Sequence, residues 1–170
     1  STAPLNVVER MNVAGFDKYW WHPLVDNPHD DESLTREFYK LIKLPCLNTG
    51  GNVGSAAWVF ASEILQIENL AVVGMDLGYY PETPFEKTQT YYELITHLNT
   101  LDNLEEYFCS FEFPLTKEKF YTDPTYFWYR RNLLELIERS NKTLYNCTEG
   151  GTLFGKNVKV LSLENFLTEI

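Results

Sequence analysis

An α/β fold with a mainly parallel sheet is predicted by three observations. A polar, glycine-dense loop, Leu47-Asn48-Thr49-Gly50-Gly51-Asn52-Val53-Gly54-Ser55, opens an apolar helix. A continuous apolar run, Leu70 to Met75, reads as a strand covered on both faces and ends on the lone carboxylate of Asp76. The two lie too close for a long loop, so β-loop-α-β is the economical reading, and such crossovers are right-handed.

The elements follow in order. Leu5 to Val8 reads as a short strand, and Asp17 to Asp31 as an aromatic loop holding Tyr19, Trp20 and Trp21 between the breakers Pro23 and Pro28. Ser33 to Leu44 is predicted helical, with Leu34, Phe38, Leu41 and Ile42 on one side and acids ahead of it. Pro45 stops that helix, and Cys46-Leu47 enters the glycine loop as a short strand. Val53 to Gln66 carries a helical stripe at Val53, Ala57, Phe60, Ala61 and Ile64.

After the Leu70 strand, Gly78 to Pro84 is predicted as loop and Phe85 to Leu98 as helix. Tyr107 to Leu115 fits either state, and Lys117 to Pro124 reads as loop. Tyr126 to Ser140 is an amphipathic helix with Phe127, Leu133, Leu134 and Ile137 on its buried side. Leu144 to Asn146 is a short strand, followed by a second glycine turn, Thr148-Glu149-Gly150-Gly151. Val158 to Leu161 closes the strands, and Ser162 caps a last helix.

With 170 residues, one domain covering 1–170 and a real core are expected. A composition 44% hydrophobic and 22% charged excludes a disordered or fibrous chain. The net charge of −10 argues against nucleic acid or an anionic membrane as partner, since neither gains from counterion release. A nucleotide is not excluded, because a backbone nest or a cation holds phosphate inside an acidic protein. No apolar run reaches the ~18–20 residues of a membrane span. The odd, scattered cysteines Cys46, Cys109 and Cys147 predict reduced, mostly buried thiols and a cytoplasmic setting.

The chemistry is expected in three places. Backbone N–H groups of Gly50 to Gly54 suit a phosphate or ribose, with Asn48, Thr49 and Asn52 adding side-chain hydrogen bonds. The plainer alternative is a tight turn and helix start. Asp76, at the strand's carboxyl end, sits where open α/β sheets bind ligands; it would hold a hydroxyl or Mg²⁺, or merely cap a turn. Asn146, Thr148 and Glu149 face the same cleft if their strand lies beside the first, with Glu149 the candidate base or metal ligand and an Asx-type turn the alternative. Asp26, His29, Asp30, Asp31 and Glu32 read as helix cap and dipole complement rather than a metal cluster. Arg130 and Arg131 read as a solvated helix face, or as one anion clamp.

Three blocks carry a family resemblance: Thr49-Gly50-Gly51-Asn52-Val53-Gly54-Ser55-Ala56-Ala57, then Val73-Gly74-Met75-Asp76-Leu77-Gly78-Tyr79, then Asn146-Cys147-Thr148-Glu149-Gly150-Gly151. In this order they resemble the motility accessory factors that glycosylate flagellin and the archaeal 6-hydroxymethylpterin pyrophosphokinase-like proteins. They are more distantly similar to bacterial CMP-sialic-acid sialyltransferases. The resemblance implies a Rossmann-like, three-layer αβα fold and transfer of a nonulosonic-acid-type sugar from a CMP donor to a hydroxyl acceptor. It gives Tyr79 the task of stabilising the departing phosphate, with an offset of about one residue. Its second implication is Mg²⁺-dependent diphosphate transfer from ATP to a pterin. The family's opening strand and Gly-Pro-Ser loop have no counterpart here, which predicts a chain holding the latter half of such a domain or lacking that loop. From a different class stands a non-catalytic module that docks on a partner, or forms a homo-oligomer, through Tyr19 to Trp21.

Overall fold

The computed structural model describes residues 4–97 and 104–169. They form a mixed α/β structure with parallel strand pairing, and the contacts divide the chain into two compact units, Ser1–Thr49 and Gly50–Ile170.

The first unit holds helix α1 (Leu5–Val13), strand β1 (His22–Pro23), helix α2 (Leu34–Ile42) and strand β2 (Cys46–Leu47). Where the Val7-Val8 pair suggests a strand, the backbone is helical from Leu5 onward. Pro4 stands at the N-cap, its carbonyl accepting from the amides of Val7 and Val8, and polar side chains at Asn6, Glu9, Arg10 and Asn12 suit a helix that buries no residue. Strands β1 and β2 pair in parallel, His22 with Cys46 and Pro23 with Leu47. The helix between them makes this a small β-α-β crossover.

Its start is built as the sequence anticipates. The Ser33 hydroxyl caps α2 by accepting from the Arg36 amide at 3.1 Å. Asp26 accepts from the Ser33 hydroxyl (2.7 Å) and from the amides of Leu34 (2.6 Å) and Thr35 (3.1 Å). These bonds, the Ser33 hydroxyl foremost, hold the Asp26 carboxyl down at about 2. Asp26 therefore caps a helix end, which satisfies amides no intrahelical carbonyl can reach. Among the described residues no three His, Cys, Asp or Glu side chains group closely enough to hold a metal ion.

The second unit contains α3 (Val53–Val59), β3 (Leu70–Val72), α4 (Tyr91–His97), β4 (Cys109–Glu112), β5 (Lys119–Thr122), α5 (Pro124–Ser140), β6 (Leu144–Asn146), β7 (Val158–Val160) and α6 (Leu163–Glu169). Strands β3, β6 and β7 form a parallel sheet with β6 central, in the register Leu70–Leu144–Val158. Central position explains burial: Leu144 and Asn146 have no exposed surface, whereas all three residues of β3 are only partly covered. The unbroken apolar run therefore marks an edge strand here, not one enclosed on both faces. It is also shorter than expected, because Gly74 turns the chain at φ 72° soon after Val72.

Three more differences have local causes. Lys117 to Pro124, expected as loop, contains β5, which pairs antiparallel with β4 through Phe120–Phe111 and Tyr121–Ser110. Phe120 and Thr122 point inward on alternate positions, the period a half-buried strand requires. The helix predicted to Gln66 changes pitch: α3 ends at Val59 and a π-turn runs Phe60–Ile64, where the Ser62 carbonyl accepts from Lys142 Nζ. The helix expected over Phe85 to Leu98 divides into a 3₁₀ turn, Phe85–Lys87, and α4, while Leu98 lies outside the described residues.

Helix α5 is the unit's keel. Asp123, fully buried, caps it by accepting from the Tyr126 amide (2.8 Å), and Pro124 occupies its first turn, where a missing N–H costs nothing. Leu133 and Ile137 pack inward with Phe113, Leu144 and Leu153, none with exposed surface. Each such side chain contributes about 1.5–3 kcal/mol over remaining in water. Ser162 caps α6 by accepting from the Asn165 amide at 3.1 Å. The thiols differ from expectation: Cys147 is buried, but Cys46 and Cys109 are exposed, both on short outer strands. No helix among the described residues is long and apolar enough to cross a membrane.

Candidate functional site

Parallel pairing places the carboxyl ends of β3 and β6 at one edge of the sheet, so the segments after them must meet. The Cys147 amide donates to the Val72 carbonyl (2.9 Å), and the Met75 amide to Thr148 Oγ1 (3.2 Å). One turn further on, the Thr152 amide donates to the Asp76 carbonyl (2.7 Å), and its hydroxyl to that of Leu77 (2.7 Å).

Gly151 explains why that turn lacks a side chain. A Cβ there would lie 2.4 Å from the Asp76 carbonyl oxygen, and its φ of 80° is left-handed. Arg130 fixes the far side by donating Nε to the Thr152 carbonyl (2.6 Å) and an Nη to that of Phe154 (2.9 Å), its guanidinium 4.5 Å from the Phe111 ring. Burial lowers its pKa. Arg130 is thus neither a solvated face nor a free anion clamp; it staples the second glycine turn. Arg131 pairs with Glu135 on the exposed side.

The first glycine loop reaches the same edge. A Cβ on Gly54 would lie 2.2 Å from Met75 Cε, so the loop meets the Met75 side chain, three residues beyond the end of β3. Asn52 starts α3 by accepting from the Ser55 amide (2.9 Å), while its buried Nδ2 has no partner. Gly50 to Gly54 belong to the second unit; Asn48, exposed, and Thr49, buried, end the first.

The expected site residues thereby separate by what their side chains do. Gly50 and Gly51 abut α5 at Leu136, Trp128 and Tyr129, whereas Asp76, Thr148 and Glu149 lie in the segments that follow β3 and β6. Among the described residues no hydrogen bond or ion pair engages the carboxylate of Asp76, which is part-buried, or of Glu149, which is exposed. Asn146 faces inward instead: its amide donates to the Leu153 carbonyl (2.6 Å) and its Oδ1 accepts from the Thr148 amide (3.0 Å). That is the Asx-type turn, built with a side chain that has no exposed surface.

Tyr79 is also committed. Its hydroxyl donates to Asp123 Oδ2 (2.8 Å) and accepts from the Gln89 amide (2.9 Å), with the ring between Tyr121 and Tyr126. Burial, with the Asp123 carboxylate beside it, pushes this phenol well above its ordinary pKa. The tyrosine at the second glycine turn is its neighbour: Tyr80, 47% exposed, packs on Phe120 and brings its hydroxyl within 3.8 Å of the Cβ position of Gly150. Burial and the charge of Glu149 raise the Cys147 thiol, which makes it a poor nucleophile.

None of the three segments, 50–54, 73–80 and 146–152, contains Lys, Arg or His. The charged side chains these segments themselves contribute are carboxylates only, and the neighbouring Arg130 spends its Nε and one Nη on the carbonyls of Thr152 and Phe154. Compared with protein-family models, curated proteins and solved structures, the chain matches none.

Proposed function

We propose that Gly50–Ile170 is a Rossmann-like nucleotide-binding unit that takes a nucleotide-sugar at the carboxyl edge of its parallel sheet. Transfer of a nonulosonic-acid-type sugar from a CMP donor to a hydroxyl is the reaction it suits best. One observation carries the reading: two glycine turns, distant in sequence, both touch Met75, the residue before Asp76, the first through Gly54 and the second through Thr148, the residue before Glu149. Backbone amides of the first loop would bind the phosphate, Tyr80 would donate to it, and Glu149 would take the acceptor's proton.

A second reading, Mg²⁺-dependent diphosphate transfer from ATP to a pterin alcohol, is favoured by the lack of any cationic side chain in the three segments. Asp76 and Glu149 would hold Mg²⁺, which supplies charge neutralisation between phosphates. One or two carboxylates with phosphate oxygens and waters suffice for that ion.

Thermal melting with CMP and with ATP, each with and without Mg²⁺, tests both. Stabilisation by CMP without metal, reduced in Tyr80→Phe and unchanged in Tyr79→Phe relative to each variant's own baseline, supports sugar transfer. Stabilisation by ATP only with Mg²⁺, lost in Asp76→Asn, supports the second. No shift with any nucleotide overturns both and leaves a module that acts by docking on a partner.

A further inference from the structure

The feature the reading above does not use is the wall beside the first glycine turn. Gly51 is exposed, at φ 95°, and a Cβ there would lie 2.2 Å from Cζ3 and 2.9 Å from Cη2 of Trp128. The indole thus lies directly on the Gly51 backbone, in the space any other residue would fill. Only part of the ring is used in this way, because Trp128 remains 53% exposed. The other tryptophan of this unit, Trp58, is 4% exposed and packs in the core, so exposure at 128 is not a general property of indoles here.

Trp128 is rigidly presented. It sits in the second turn of α5, a 17-residue helix capped by buried Asp123 and tied by Arg130 to residues 152 and 154. Tyr129 backs it at 5.5 Å between ring centres, and Val53, 76% exposed, stands two residues beyond Gly51. A fixed, half-open aromatic face abutting the glycine turn, where the Asn52 Nδ2 has no partner, joins the two elements that nucleotide sites combine: apolar area for a ring and polar groups for what the ring carries.

Resting on the nucleotide reading, we propose that Trp128 is the specificity-determining wall on which the planar base of the nucleotide stacks. Stacking on an aromatic face is tolerant of base identity but requires a base. Trp128 therefore selects nucleotides over sugar phosphates, while the glycine loop and carboxylates address the rest of the ligand.

Calorimetric titration of the full chain with CMP, ATP and Mg²⁺-ATP, and with ribose 5-phosphate as a base-free probe, tests this. Trp128→Ala is expected to weaken the nucleotide that binds by about tenfold or more. Trp128→Phe should restore affinity to within a few-fold of wild type. Ribose 5-phosphate should bind wild type and Trp128→Ala alike. Equal nucleotide affinity in wild type and Trp128→Ala overturns this proposal and leaves the nucleotide reading standing. Equal loss for ribose 5-phosphate and nucleotide also overturns it, because Trp128 would then only shape the loop. Failure of every nucleotide to bind wild type overturns both.

Discussion

The two units are held together by different physics. Every buried large apolar side chain, from Trp58 and Val59 to Leu144 and Leu153, lies in Gly50–Ile170. Ser1–Thr49 buries His22, Ser33, Thr35 and Thr49, all polar, and its large apolar residues Leu34, Phe38, Leu41 and Ile42 remain more than a third exposed. It is ordered by directed bonds: Asp26 on three donors, Thr35 Oγ1 accepting from the amides of Val25 and Asp26, and the His22 ring between the carbonyls of Pro23 and Leu44. A core tolerates loss of one polar contact, whereas a unit built from caps depends on each of them.

Substitutions break this contrast in a graded way. Leu144→Ala, in the central strand, should destabilise the second unit by about 2–5 kcal/mol in denaturant titration, since it removes three carbons from a fully enclosed site. Gly151→Ala places a methyl group against the Asp76 backbone at a left-handed φ, for a loss of about 1–3 kcal/mol and a smaller nucleotide-induced melting shift. Tyr79→Phe strands the Asp123 carboxylate and the Gln89 amide, for about 1–2 kcal/mol by the same titration.

Alkali sharpens the Tyr79 case. Its raised pKa favours the neutral phenol in the fold, so its contribution is intact below about pH 10 and lost as pH rises beyond. Wild type should lose stability above pH 10 more steeply than Tyr79→Phe.

The first unit should respond to acid instead. Asp26 is held down at about 2 against an ordinary 3.8, so its contribution is full above about pH 4 and disappears as pH falls through 2. Amide exchange at residues 26–36 should accelerate over that range, and in Asp26→Ala at neutral pH, with protection in β6 unchanged. Loss of protection in both units together would show that they are not separately stabilised. The smallest effect belongs to Leu41→Ser, at a residue 78% exposed: stability should stay within about 0.5 kcal/mol.

Local signals were legible where chain neighbours make the structure. Asp26 and Ser162 act as caps and the Tyr126 to Ser140 helix is α5, because these depend on residues close in the chain. Helix α2 ends earlier than Pro45 requires, at Ile42, where Lys43 turns left-handed (φ 55°), and Phe127, expected on the buried side of α5, is exposed. Asp17 to Asp31 reads as aromatic loop and contains only the two-residue β1. Other misreadings fall where partners are remote. Phe120-Tyr121-Thr122 becomes a strand only once Phe111 and Ser110 pair with it, and Arg130 becomes a staple only once residues 152 and 154 arrive. Of the candidate residues, Asp76 and Glu149 are singled out by position alone, and their carboxylates have no hydrogen-bond or ion-pair partner among the described residues. The commitment of Tyr79 to Asp123, the inward turn of Asn146, and the standing of Tyr80 could not be read from position, for their partners lie far along the chain or are backbone atoms of no particular identity.

What the amino-acid order determines by itself is the alternation of strand and helix, the places where glycine is required, and the lone acids that follow. These are set by backbone sterics and short-range hydrogen bonding, which residue types encode directly. Which of the polar groups are used up internally is settled only by folding. Burial makes each unpaired donor or acceptor costly, so tertiary partners claim Tyr79, Asn146 and Arg130 and leave Asp76 and Glu149 unclaimed at the edge.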